Sequence, residues 1–469
     1  MVKVRHYLYM IGEGALDLFV SIIISILVVR MQGDSALGIF SYFLSFYLLA
    51  GFISEFGITK YLEREVAFES NTGLRKKKYR NSFDAVVLFS LFCGAIIIVI
   101  SFYSVSFTVL NENVAAYIII AFTIPLQNIN KLRIAYINGT GKHEESAKFI
   151  IKKRMALFVL FFILLTFGLP ASFLVIGFFF AELYLLIIMI RANKNLFPGT
   201  WNMSGNPRVI QEIMSGYKYL LSGETLNLAF YMDYLILGVF VASEQIGLYA
   251  KAVILARCFL VIPLGIKPLF RKIYCNLASE NDLEKLKGMI NKSTAIFFCI
   301  QSVIVLYILL YFPAILNMLF GSRNQLIIPF AIFVTLLPGL LYFSSFNVNE
   351  PLYEAVNAVQ PLQKMVISIV IINLLLNIYF IPFAGIQGAA FATAGSMLVY
   401  FFIFGKDTLK KLKLNKIVYI QAGAVLYVAY RILKFLDMGF AITIWLIPVV
   451  ILVFYTIINL FNRTIFTDN

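Results

Sequence analysis

The stretch Asn377-Ile378-Tyr379-Phe380-Ile381-Pro382-Phe383-Ala384-Gly385-Ile386-Gln387-Gly388-Ala389-Ala390-Phe391-Ala392-Thr393 joins two apolar segments, near 365–381 and 386–404. Both segments fall within the range of about 17–25 residues with which a helix crosses a bilayer. The short loop Pro382–Gly385 separates them, because proline cannot continue a helical hydrogen-bond ladder. The stretch therefore predicts two consecutive membrane helices joined by a tight connection.

The whole chain has a composition suited to lipid rather than water. Its 469 residues are 61% hydrophobic and 13% charged, against about 45–50% and about 25% in ordinary soluble proteins, and its mean hydropathy is +0.88. A soluble domain cannot hide so much apolar surface, since its own exterior faces water. This composition excludes a soluble globular enzyme, a disordered chain and a disulfide scaffold.

The sequence offers little for metal or covalent chemistry. Its four cysteines form no Cys-x-x-Cys pair and show no metal-ligand spacing, and it has only two histidines. No carboxylate pair lies in a domain large enough to build a solvent-exposed hydrolytic site. We therefore expect no metal site, no catalytic residue and no cofactor. The exception is a proton or sodium ion whose movement is coupled to transport.

Fourteen apolar segments are long enough to cross a bilayer, and we predict an all-α integral membrane protein of about fourteen transmembrane helices. They lie near 8–29, 37–58, 83–107, 114–137, 155–169, 172–190, 216–240, 247–270, 293–313, 327–346, 365–381, 386–404, 416–433 and 440–461. The fifth and sixth are predicted to form a hairpin, because 155–190 is too long for one crossing and Pro170 interrupts it.

The basic residues predict the orientation of these helices. With both termini in the cytoplasm, 33 of the 39 Lys and Arg residues fall on the inner side and only four on the outer side. This asymmetry agrees with the positive-inside rule. It also explains the net charge of +15 as an attraction to anionic inner-leaflet lipid, so we expect no nucleic acid as partner.

A weak internal repeat predicts two similar halves. Leu37-Gly38-Ile39-Phe40 returns as Ile246-Gly247-Leu248-Tyr249 after 209 residues, and Leu169-Pro170 returns as Ile381-Pro382 after 212. Two halves of six helices each enter the membrane in the same direction, which is a common transporter plan with the substrate site between the halves. We predict lobes at 1–195 and 205–405, and a third region, 406–469, that holds helices 13 and 14.

Ionisable residues at membrane depth are candidate functional groups, because lipid makes them costly. Arg257 lies about 15 Å into its helix, near the midplane. It either binds an anionic substrate group such as a phosphate, or pairs with Asp233 or Glu224. Lys251 and Arg30 are further candidate substrate cations, although either position also suits an anchor at the membrane interface.

The acidic candidates for ion coupling are Asp233, Glu224, Glu13, Asp17 and Glu182. Glu13 and Asp17 are four residues apart and share one helical face. Two carboxylates there favour proton exchange, or pairing with the nearby cytoplasmic lysines and arginines. Glu182 and Glu224 lie at intermediate depth.

Several motifs resemble those of the polysaccharide transport family, the Wzx-type O-antigen repeat-unit flippases of the multidrug/oligosaccharidyl-lipid/polysaccharide exporter superfamily. They are ALGIFSY at 36–42, EFGI at 55–58, REVA at 64–67, DYLILG at 233–238, IGLYAKA at 246–252, Ile262-Pro263 and, above all, the stretch 377–393. The chain departs from the family pattern at Ala384, where a tyrosine often stands. The similarity spans about 36–400.

The resemblance implies two six-helix lobes around a central cavity, plus two extra C-terminal helices. It implies a flippase, not an enzyme, that moves undecaprenyl-diphosphate-linked oligosaccharide repeat units from the cytoplasmic to the outer leaflet by alternating access. The implied partners are this lipid-linked oligosaccharide, membrane lipid and other polysaccharide-assembly proteins, and the implied place is a bacterial inner membrane. Cationic cavity residues and coupling to protons or sodium are further family expectations.

Two other functions remain open from the sequence. A drug or cation antiporter of the same superfamily fits the fold, although such proteins typically have twelve helices and a less cationic cavity. A membrane O-antigen polymerase or glycosyltransferase normally carries sizeable external loops, whereas the predicted external loops here are very short.

The basic run Arg75-Lys76-Lys77-Lys78-Tyr79-Arg80 provides a test of the predicted orientation. We expect this run to be cytoplasmic, so a cysteine placed at Asn71 should react only with a membrane-permeable reagent. Labelling of Asn71→Cys by an impermeant reagent in intact cells would overturn the orientation.

Overall fold

The computed structural model describes residues 16, 19–103, 113–192, 207–217, 219–220, 225–258, 267, 270, 273–275, 277, 283–321, 327–347, 349–355 and 359–412. The predicted spans near 416–433 and 440–461 lie outside these residues. So do three of the acidic candidates, Glu13, Asp17 and Glu224.

The described residues build a helical protein. The helices are α1 Phe19–Gln32, α2 Asp34–Glu55, α3 Ile58–Phe68, α4 Thr72–Tyr103, α5 Val114–Gly139, α6 His143–Thr166, α7 Val175–Ala192, α8 Pro207–Tyr217, α9 Thr225–Phe240, α10 Ser243–Cys258, α11 Leu283–Phe320, α12 Ile327–Asn347, α13 Pro351–Ala355 and α14 Val359–Leu412. The all-α class is confirmed. Within the part of the chain that the structure describes, four helical stretches are long and apolar enough to cross a membrane: Asp34–Glu55, Thr72–Val99, Ala171–Ala192 and Val366–Val399. The number of fourteen spans stays a prediction.

The chain divides into two compact units. One contains 1–251 and 366–393, and the other contains 252–365 and 394–469. Each unit has its own apolar cluster. The cluster of the first unit lies between α3, α4 and α5 and consists of Ile58, Leu62, Val66, Tyr79, Ala85, Val86, Leu132 and Tyr136. The cluster of the second unit consists of Phe270, Tyr274, Leu286, Ile290, Phe297 and Leu352. The lobes 1–195 and 205–405 remain a prediction.

The stretch 377–393 turns back on itself, as its sequence predicts. Within α14 the backbone leaves the helical conformation at Gly385, with φ 54° and ψ −131°. The side chain of Asn373 donates a hydrogen bond to Thr393 at 3.1 Å, although twenty residues of continuous helix would hold them about 30 Å apart. The two halves of α14 are therefore antiparallel neighbours.

The other predicted hairpin is also present. α6 ends at Thr166, a short 3₁₀ turn covers Ala171–Leu174, and α7 follows. Gly168 takes φ +70° in the connection, which glycine adopts without steric cost. However, α6 begins at His143 and not near 155, because its basic second and third turns are helical rather than a loop.

α2 and α10 cross at two glycines. A Cβ atom at Gly38 would collide with the carbonyl oxygen of Ser243, and one at Gly247 would collide with the carbonyl oxygen of Asp34. Only glycine permits this approach of the two backbones. The two contacts exchange under a shift of 209 residues, the offset of the sequence repeat. We call this pair of contacts the glycine crossing.

Candidate functional site

Asp233 forms the centre of a buried polar cluster. Its side chain is 0% exposed on α9. Thr393 and Tyr249 each donate a hydroxyl hydrogen bond to Oδ2 at 2.5 Å, and the amide of Asn377 donates to Oδ1 at 2.7 Å. We call Asp233, Tyr249, Asn373, Asn377 and Thr393 the Asp233 cluster.

The hairpin in α14 assembles this cluster. Asn377 also donates to the side-chain oxygen of Asn373 at 3.0 Å, and Asn373 in turn donates to Thr393. Because Asn373 and Asn377 precede the reversal at Gly385 and Thr393 follows it, the two halves of the hairpin meet at the carboxylate. All three side chains are fully buried.

The hydrogen-bond partners of Asp233 are neutral side chains. They stabilise a carboxylate but supply no positive charge that would balance it. A negative charge without a counter-charge costs free energy at membrane depth, and a bound cation lowers that free-energy cost. The carboxylate, the amide oxygens and the hydroxyls are the oxygen ligands that hard cations prefer. The cluster is therefore suited to take up a proton or a sodium ion.

A second buried carboxylate, Glu182 on α7, is arranged differently. It accepts hydrogen bonds from Tyr47 at 2.7 Å and from Asn130 at 2.8 Å, and it forms an ion pair with Lys153 of α6. The lysine already balances the charge of this carboxylate. Of the two, Asp233 is the better candidate for exchanging a cation.

The candidate substrate cations lie in three different settings. Lys251 is 2% exposed and pairs with Asp34 at 2.6 Å, beside the glycine crossing. Arg257 is half-buried in the last turn of α10, and Arg30 is exposed near the end of α1. The ion pair places Lys251 in the packing of α2 against α10. The roles of all three as substrate ligands stay predictions.

Sequence reasoning missed the neutral members of the Asp233 cluster. A charged residue inside an apolar segment attracts notice because lipid penalises it, whereas an asparagine, threonine or tyrosine carries no such signal. Asn377 and Thr393 did fall within the motif 377–393, but only pairing of the hairpin with α9 reveals their partner. Among the described residues, no group of three or more His, Cys, Asp or Glu side chains could hold a metal ion.

Comparison with known proteins agrees with this architecture. Residues 6–268 match the family described as "Polysaccharide biosynthesis protein". The chain is 22% identical over 382 residues to a protein of Haloferax volcanii named "Probable low-salt glycan biosynthesis flippase", covering 79% of this chain and 76% of that one. It is 23% identical over 324 residues to the "Putative O-antigen transporter" of Shigella flexneri, covering 63% and 72%.

Solved structures share the fold. A lipid II flippase, MurJ, in an inward closed conformation superposes with a TM-score of 0.72 at 14% identity, over 98% of this chain and 99% of the other. An inward-facing multidrug resistance transporter of the MATE family, in the MOP superfamily, gives 0.65 at 15% identity, over 87% and 99%. At these identities the likeness shows the fold alone.

Replacement of Asp233 by asparagine tests the cation site. A bound cation stabilises the folded protein, by about 2.7 kcal/mol at a concentration one hundred times its Kd. We expect the Tm of the purified protein to rise with added sodium or with falling pH, and Asp233→Asn to abolish that rise. The matched control is Asp84→Asn, at a half-buried carboxylate of α4. If the Tm of Asp233→Asn depended on sodium and pH as that of the wild type does, Asp233 would not be the cation site.

Proposed function

The chain belongs to the polysaccharide biosynthesis protein family, and we propose that it moves undecaprenyl-diphosphate-linked oligosaccharide repeat units from the cytoplasmic to the outer leaflet of a bacterial inner membrane. It is a multi-pass membrane transporter and not an enzyme. The repeat units of an O-antigen or a related surface polysaccharide are the proposed cargo. Movement by alternating access, driven by a coupled cation, is the proposed mechanism.

The glycine crossing is the observation that supports alternating access. It joins the first turns of α2 and α10, which are equivalent helices of the sequence repeat. In the predicted orientation both turns lie at the outer surface. The contact between them therefore closes the outer side, and the two repeats have to separate there before a cargo can leave.

Polar contacts hold the glycine crossing together. The hydroxyls of Ser35 and Ser243 lie 2.6 Å apart, within hydrogen-bond distance, and Lys251 pairs with Asp34. This hydrogen bond and this ion pair can break and re-form, unlike a continuous apolar core. The polar contacts between α2 and α10 can therefore open and close reversibly.

α10 connects the closure with the cation site. Tyr249, which binds Asp233, lies two residues after Gly247 and two residues before Lys251. A cation bound at Asp233 competes with the Tyr249 hydroxyl for Oδ2. Binding of the cation therefore weakens the hydrogen bond that ties α10 to Asp233. This link supports coupling of cation movement to opening, with a proton or a sodium ion as the coupled species.

The diphosphate of the cargo needs cations to replace its water of hydration. We propose Arg257 as the principal one, because a guanidinium forms paired hydrogen bonds with phosphate oxygens, and Arg30 as a candidate near the outer surface. Other polysaccharide-assembly proteins are proposed partners that receive the cargo.

Deletion of the gene tests the proposed function. We expect lipid extracts of the deletion strain to accumulate undecaprenyl-diphosphate-linked single repeat units, because these are made but not translocated. Unchanged glycolipids together with new sensitivity to cationic drugs would contradict the flippase and favour the antiporter. Accumulation of the undecaprenyl carrier together with polymerised glycan at the cell surface would contradict both the flippase and the antiporter.

A disulfide across the glycine crossing tests the alternating-access mechanism. Ser35→Cys with Ser243→Cys, after replacement of the four native cysteines by serine, brings the two sulfurs close to the bonding distance of about 2.05 Å. We expect oxidation to stop surface glycan export and reduction to restore it, whereas Ser35→Cys alone stays active. Full export by a completely cross-linked protein would show that this contact does not open.

A further inference from the structure

The second half of the sequence repeat holds α2 at both of its ends. The glycine crossing holds the first turn of α2 at Gly38. At the other end, a Cβ atom at Gly57 would collide with the carbonyl oxygen of Gly216, and one at Gly216 would collide with the carbonyl oxygen of Phe56. From Gly38 to Glu55, the last residue of α2, the helix rises about 26 Å. The two contacts are therefore separated by most of a ~30 Å hydrocarbon core.

The contact at the inner end is made by α8, and we call its contact with α2, α3 and α4 the α8 dock. Ile213 packs against the apolar cluster between α3, α4 and α5. Ser82 of α4 is fully buried and donates a hydrogen bond to Glu212 of α8 at 3.0 Å. Just after α8, Tyr219 accepts a hydrogen bond from Arg64 of α3, whose guanidinium lies 5.8 Å from the centre of the Tyr219 ring. The dock thus joins apolar packing to polar contacts.

Phe56, between α2 and α3, has a backbone conformation that a bulky residue rarely adopts. Its φ of 50° and ψ of 29° lie in the left-handed region, and no other described residue apart from glycine has a positive φ. The Phe56 ring contacts Phe89 of α4 and Tyr217 of α8, with ring centres 5.2 and 6.0 Å apart. Such a conformation persists only where the surrounding structure holds it firmly. The dock is therefore a tight contact.

The contacts at the two ends of α2 differ in how easily they open. The glycine crossing is held by a hydrogen bond and an ion pair. The α8 dock is held by packed rings, closely approaching backbones and the apolar cluster of the first unit. Separation at the dock would expose apolar surface to water and would leave the left-handed Phe56 without its support. The dock is therefore the contact that costs more free energy to open.

We propose that the α8 dock is a fixed pivot about which α9 and α10 swing when the glycine crossing opens. α8 then stays on the first repeat throughout the cycle, although it belongs to the second repeat in sequence. The pivot gives the motifs EFGI at 55–58 and REVA at 64–67 a structural role, because Phe56, Gly57 and Arg64 all lie in the dock. The proposal rests on the alternating-access part of the proposed function, in which the repeats separate at the outer side.

The reactivity of a cysteine beneath α8 tests the pivot in the purified full-length protein. Ser82→Cys, after replacement of the four native cysteines by serine, should react slowly with a maleimide. We expect Gly38→Ala, which forces the glycine crossing apart, to leave this rate unchanged. Gly216→Ala should raise it at least about tenfold, because a methyl group inserted into a packed contact favours local opening to that degree. Gly288→Ala is the control, since a Cβ atom there meets nothing within 4 Å.

The two glycine variants give opposite results only if the dock and the crossing open independently. In the Gly38→Ala background, Ser35→Cys with Ser243→Cys should no longer form a disulfide, which verifies that the crossing has opened. Equally fast labelling of Ser82→Cys in Gly38→Ala and Gly216→Ala would show that the dock releases together with the crossing, and would overturn the pivot. Slow labelling in Gly216→Ala would overturn it as well, because the close approach of the two glycines would then not hold α8.

Two substitutions at Phe56 test whether the dock holds a left-handed backbone. Phe56→Gly and Phe56→Ala both remove the ring, but glycine adopts a positive φ without steric cost, whereas alanine is the better helix former. We expect the Tm of Phe56→Gly to exceed that of Phe56→Ala by about 2 °C. The reverse order would show a helical backbone at this position and would contradict a firmly held dock.

A cross-link across the dock separates the pivot from the proposed function. Ser82→Cys with Glu212→Cys, joined by a short bifunctional maleimide, should export surface glycan as Ser82→Cys treated in the same way does, whereas the disulfide across the glycine crossing stops export. Loss of export with the dock cross-linked would overturn the pivot alone. Because the labelling and Tm measurements need no cargo, a deletion strain that accumulates no repeat units would refute the flippase, while the labelling rates still decide on the pivot.

Discussion

The structure depends on one constraint: a polar group at membrane depth has to find its partner inside the protein. The Asp233 carboxylate shows this most clearly, because three donors from α10 and from both halves of α14 converge on it. The hairpin at Gly385 has to fold back for Asn377 and Thr393 to meet there. The reversal of the chain therefore brings the hydrogen-bond donors of α14 to the carboxylate.

The same constraint gives the two carboxylate clusters different properties. Glu182 is balanced by a lysine and bonded to a tyrosine and an asparagine, which makes it a permanent charged pair. Asp233 is bonded only to neutral groups among its named partners, which makes its net charge sensitive to a cation. The protein thus contains a charge-balanced ion pair at Glu182 and, at Asp233, a carboxylate whose named hydrogen-bond partners are all neutral.

Much of the fold was predictable from the sequence because lipid imposes strong regularities. Segment length predicted the helical class, and Pro170 and Pro382 correctly indicated the two hairpins. The repeat at Gly38 and Gly247 pointed to equivalent helices, and the structure shows why glycine occupies both places. The start of α6 was predicted too late, because its charged turns resembled a loop. The ion pair between Lys251 and Asp34 was also missed, since Asp34 lies at a helix start and gives no signal of burial.

Translocation by the purified protein in liposomes is the measurement that bears most directly on the function. Undecaprenyl-diphosphate-linked repeat units placed in one leaflet should reach the other when an inward sodium or proton gradient is applied, and should stay where they are when that gradient is collapsed. Movement of a lipophilic drug cation under the same gradient, with no movement of the lipid-linked glycan, would contradict the account.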